Sequence, residues 1–114
     1  MKTQHNKLVR DKIPEIVRNS GNQCETTTLS KIDYIKALHQ KLVEEANEVA
    51  IASPEELVQE LADVMEVMDA LIAATGIKLD TVKEIQTQKR SQRGGFDNRV
   101  KLLWTSFHQE NNYK

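Results

Sequence analysis

The sequence is poor in most of the features that define β-rich, membrane and disulfide-stapled proteins. It has four glycines, two prolines and only 4% aromatic residues in 114 positions. A β-sandwich needs frequent turn residues and bulky strand formers, so this composition fits a helical protein better. A single cysteine, Cys24, rules out an internal disulfide and fits a reducing compartment. Its neighbours Gln23 and Glu25 are polar, and the thiol reads as incidental. Neither charge sign dominates. Sixteen basic against seventeen acidic residues give a formal net charge of −1, which argues against general binding to a nucleic acid polymer. No apolar run exceeds a few residues, so no segment is expected to span a membrane. The opening MKTQHNKLVRDK lacks an apolar signal region, which makes the expected location cytoplasmic. The three histidines, His5, His39 and His108, show no metal-ligand spacing. The length suits one domain, 1–114, with a modest core.

What the sequence does have is acid on apolar helix faces. In 42–69 two clusters stand at helical spacing: Glu44, Glu45 and Glu48, then Glu60 and Asp63. Residues three or four apart share a helix face. Before Ser53-Pro54 the sequence Ile35, Leu38, Leu42, Glu45, Val49, Ala52 recurs in such steps, and after it Leu57, Glu60, Val64, Val67, Leu71 does the same. A carboxylate on each stripe needs a counter-charge, since buried charges are costly unless paired or metal-bound. Glu45, Glu48, Glu60 and Asp63 together form a hard, all-oxygen donor set suited to Mg²⁺ or Mn²⁺. A di-iron bundle would add His three residues after a ligand Glu, and no His stands there. Glu44, one step off the stripe, suits either an outer role at the metal or plain surface charge, whereas Glu66 and Asp69 read as surface.

Boundary signals frame these faces. Asp11 followed by Pro14 predicts a short first helix that ends at Asn19-Ser20-Gly21. Residues 22–29, rich in Thr, read as a connector. Ser30 starts a helix that runs to about Ala52. Ser53-Pro54-Glu55-Glu56 starts the next, which runs to about Thr75 and stops at Gly76. The tight connection predicts an antiparallel hairpin of 30–52 and 53–75, with both acidic clusters roughly 11 Å from the turn at ~1.5 Å rise per residue. Asp80 is expected to cap a fourth helix over about 80–92, basic at its end and broken by Gly94-Gly95. Trp104, Phe107 and Tyr113 mark an apolar-aromatic tail. The expected fold is all-α. It is a bundle built on the hairpin, with the 80–92 helix packed on it and a second copy completing the core.

Three motifs in order carry a family resemblance: Asn6-Lys7-Leu8-Val9-Arg10-Asp11-Lys12-Ile13-Pro14, then Glu45-x-x-Glu48 with Glu60-x-x-Asp63, then Lys89-Arg90 with Arg93-Gly94-Gly95-Phe96. They resemble the all-α nucleoside triphosphate pyrophosphatase superfamily, and a small MazG-like subgroup in particular. The superfamily also includes dimeric dUTPases and phosphoribosyl-ATP pyrophosphohydrolase. The resemblance implies Mg²⁺-dependent cleavage between the α and β phosphates of a nucleotide, with Glu45, Glu48, Glu60 and Asp63 as metal ligands. It also implies a homodimer or homotetramer. The chain lacks the tandem domains of full-length MazG proteins, so their regulatory roles are not implied.

That chemistry needs a base and a phosphate grip. Glu45 and Glu48 are the candidate catalytic carboxylates. Lys7, Arg10, Lys41, Lys89 and Arg93 are candidates to hold phosphates, with Gly94 and Gly95 allowing backbone N–H groups to approach an oxyanion. The leading expectation is hydrolysis of a nucleoside triphosphate, clearing non-canonical nucleotides. The alternatives are phosphoribosyl-ATP hydrolysis in histidine biosynthesis and, from another class, a non-catalytic helical interaction module with an acidic face.

Overall fold

Apolar periodicity and boundary residues translate into four helices in the computed structural model, which describes residues 1–106. They are α1 (Ile13–Asn19), α2 (Lys31–Ile51), α3 (Leu57–Ala74) and α4 (Leu79–Arg93), and no strand occurs among the described residues. Phe107, His108 and Tyr113 lie outside the described residues.

The helix ends follow local chemistry, with three departures from the sequence reading. Asp11 does not cap α1: Lys12 holds the cap position and makes no side-chain cap bond. A tight turn takes over instead, in which the Ile13 N–H donates to the Arg10 carbonyl at 3.0 Å. At the other end of α1, the Gly21 N–H reaches the Arg18 carbonyl (3.0 Å) and the Asn22 N–H reaches Val17 (3.2 Å). This double closure requires a left-handed residue, supplied by Gly21 at φ +88°. Ser30 caps α2 as expected, its Oγ accepting from the Asp33 N–H at 3.2 Å.

The second departure is at α3, which begins at Leu57 rather than directly after Ser53. The Glu56 carboxylate does reach back to the Ser53 N–H, at 3.4 Å, but the Ser53 hydroxyl donates to that carboxylate (2.8 Å) instead of accepting from the helix. The Glu56 N–H then bonds the Ser53 carbonyl (3.0 Å) in a tight turn, and regular helix follows it. The third departure is at α4, whose cap position is Lys78. Asp80 sits inside the first turn, where its charge faces the positive end of the helix. Gly94, at φ +84°, ends α4.

Of the helix pairs among the described residues, only α2 and α3 pack extensively on one another. Their shared seam contains the two buried residues, Leu38 and Val67, flanked by half-buried Ile35, Leu42, Val49, Val64 and Leu71. The stripes read from the sequence are therefore the stripes that meet. The expectation that the fourth helix closes over this pair is overturned, because every residue of α4 is exposed. Its apolar positions, Leu79, Val82 and Ile85, stop after two turns and leave a polar, basic remainder with no stripe to bury.

One chain is consequently far from self-contained. Its accessible surface is 10902 Å², against about 6,300 Å² for a compact monomer of its mass. The radius of gyration is 19.2 Å, against about 13 Å for a compact domain of this length.

Candidate metal centre

The α2–α3 seam brings acid from both helices to one point. Glu45 from α2 and Glu60 and Asp63 from α3 each offer a carboxylate oxygen, and these three oxygens lie within 4.8 Å of one another. All three residues are half-buried. The placement follows from register: Glu45 lies seven residues after buried Leu38, and Glu60 seven before buried Val67, so each falls on its helix's inward face.

Glu48 is exposed one turn further along α2 and does not join the triad. It is still felt there. The Glu60 carboxyl is pushed above its ordinary value of 4.5, first by desolvation between the helices, then by the negative charges of Asp63, Glu48, Glu45 and Glu56. Crowded carboxylates of one sign call for cations, and two basic side chains answer. Lys41 Nζ stands 3.5 Å from Glu45 Oε1 and 3.8 Å from Glu44 Oε2, within α2 itself. Arg10 crosses from the segment before α1, placing Nη2 at 2.7 Å from Asp63 Oδ1 and Nη1 at 4.0 Å from Glu66 Oε1.

Two of the basic candidates thus sit at the acidic cluster, Arg10 and Lys41, each paired with a triad member. Lys7 lies exposed in the same segment as Arg10. Lys89 and Arg93 lie on α4, and Gly94-Gly95 directly after it; among the described residues α4 does not pack extensively along α2 or α3. Gly95 lies instead against the Arg90 side chain, with a distance of 3.1 Å between Arg90 Nη2 and the position a β-carbon would take. The Arg10–Asp63 pair and the proximity of Glu66 were not legible in the sequence, because Arg10 and Asp63 are 53 positions apart and no periodic signal links them.

The donor set fits a hard divalent cation: oxygen ligands only, from two helices, already close enough for one ion to bridge. A family model for phosphoribosyl-ATP pyrophosphohydrolase matches residues 5–90. The chain belongs to this family. The match takes in all of α1, α2 and α3, the triad, Arg10, Lys41 and Lys89, and stops short of Arg93, Gly94 and Gly95. No curated protein and no solved structure matches the chain. Membership of a phosphoribosyl-ATP pyrophosphohydrolase family agrees with the MazG-like resemblance seen in the motifs. Among the described residues no helix is long and apolar enough to cross a membrane.

Proposed function

We propose that this chain is a divalent-metal-dependent hydrolase that cleaves the α–β phosphoanhydride bond of phosphoribosyl-ATP, adding water and releasing pyrophosphate. The observation that carries the reading is the Glu45–Glu60–Asp63 triad, lying inside the stretch matched by the family model. A bound Mg²⁺ or Mn²⁺ would neutralise phosphate charge and make water at the site more acidic.

The remaining work falls to the chain's own groups. Glu45, Glu60 and Asp63 would hold the cation, and Glu48 would complete the set or, standing exposed beside it, take the proton from the attacking water. Lys41 and Arg10 neutralise the phosphates on one side. The reading takes α2 and α3 as an antiparallel hairpin. Five residues, 52–56, join them, too few to carry the chain back along a 21-residue helix of roughly 31 Å. It also takes 1–114 as one domain that works as a homo-oligomer, in which a neighbouring copy's Lys7, Lys89, Arg93, Gly94 and Gly95 supply the rest of the phosphate grip.

The test is pyrophosphate release, with Mg²⁺, from phosphoribosyl-ATP beside a panel of NTPs and dNTPs. Preference for phosphoribosyl-ATP is the expected result. Preference for a triphosphate returns the function to nucleotide clearing. No release from any substrate, with Mg²⁺ or Mn²⁺, leaves only a binding module.

A further inference from the structure

The Arg10 side chain stands where a cation is wanted. Its guanidinium donates to Asp63 at 2.7 Å and straddles toward Glu66 at 4.0 Å. The backbone that carries it is held independently of that contact. Leu8, Ile13, Pro14 and Val17 around it are half-buried, the Arg10 carbonyl accepts the Ile13 N–H, and the Cys24 thiol lies 3.8 Å from the Pro14 carbonyl. The guanidinium can therefore leave Asp63 by rotating its own side chain, without unfolding of α1. The pair is also open to water: the Arg10 and Asp63 side chains are 57% and 41% exposed, so the contact is of the weak, displaceable kind.

From this geometry we propose that Arg10 is an internal stand-in for the metal: it neutralises Asp63 while the triad is metal-free and is displaced when a divalent cation takes that carboxylate. The proposal rests on the triad being the metal centre. A divalent ion held by Glu45, Glu60 and Asp63 would bring twice the charge to all three carboxylates, whereas the guanidinium reaches only one of the three. Displacement leaves a cationic side chain, tethered at a fixed backbone point, beside the metal. A phosphate oxygen bound there is the next acceptor for it. Arg10 would thus exchange a carboxylate for a phosphate as the site loads, and would set the metal affinity before any substrate arrives.

Mn²⁺ binding, followed by calorimetry with no nucleotide present, tests this on the intact protein and on Arg10→Ala and Lys12→Gln. Lys12→Gln removes the same charge from the same segment, and Lys12 makes no ion pair with the triad. Arg10→Ala should bind Mn²⁺ roughly two- to fivefold more tightly, the range a displaced exposed ion pair supports. Lys12→Gln should stay near the wild-type value. In parallel, the Arg10 Nε–H resonance should shift as Mg²⁺ alone is titrated in. Wild-type binding with Arg10→Ala equal or weaker, or equal tightening in both variants, overturns the displacement and leaves the metal centre standing. Absence of Mn²⁺ binding in every form overturns the metal centre, and the displacement with it.

Discussion

Asp63 is the residue on which most of the site's physics converges. It belongs to the triad, it receives Arg10, and it raises the Glu60 pKa. Asp63→Asn keeps the shape and removes one charge. It should abolish pyrophosphate release, while thermal stability without metal stays nearly unchanged, because relieved repulsion within the cluster offsets the loss of the exposed Arg10 pair. An active Asp63→Asn enzyme would remove this residue from the metal set. Glu60 gives a pH signature. Its folded-state pKa lies above the ordinary 4.5, so between the two values the native state keeps a proton that the unfolded state has lost. Stability from this group is present at low pH and lost as pH rises through the raised value. In chelator, the melting temperature should fall across the weakly acidic range above 4.5, and Glu60→Gln should flatten that fall. Identical slopes in the two proteins would show that the acid crowding is too weak to matter.

Two helices of unequal character meet at the seam. α2 contributes a single narrow stripe centred on Leu38, while α3 is apolar over a wider arc that includes Leu61, Met65 and Met68 as well as Val67. Because the buried seam of one chain is so small, each of its members matters. Leu38, only 2% exposed, should cost about 2–5 kcal/mol on change to Ala, measured by urea unfolding. A change below about 1 kcal/mol, the size seen for surface sites, would mean that α2 and α3 are held together by something other than this seam. The acidic triad depends on the same seam, since Glu45 and Glu60 are aimed inward by the register that buries Leu38 and Val67.

At the scale of the molecule, one chain leaves large apolar side chains uncovered on every helix, among them Ile16, Val43, Val58, Met65 and Ile85. Its surface is far above that of a compact monomer of 13.0 kDa. A second copy laid on the free faces of α2 and α3 would bury Val43, Val58 and Met65 isologously and close a four-helix core. Light scattering at micromolar concentration should give a mass of at least two chains. A fully active species of 13.0 kDa would show that α2 and α3 function with their outer faces in water.

Much of the element structure was legible in the sequence because it is set locally. Ser30, Gly21, Gly76 and Gly94 mark boundaries through their own backbone and side-chain bonding. The three-and-four spacing of Ile35, Leu38, Leu42 and Glu45 fixes which face of α2 turns inward. The same spacing on α3 put Glu60 and Asp63 with Glu45 and Glu48 in one expected set, of which the structure brings Glu45, Glu60 and Asp63 together. Tertiary structure alone decided three things. Arg10 rather than a nearer base meets Asp63, because a long-range pair leaves no periodic trace. Glu48 turns to solvent, because Val49 takes the next inward position after Glu45 and Glu48 stands one residue, roughly 100°, away from it. And α4 stays off the α2–α3 pair, because three apolar residues at one end of a polar helix bury too little surface to dock it.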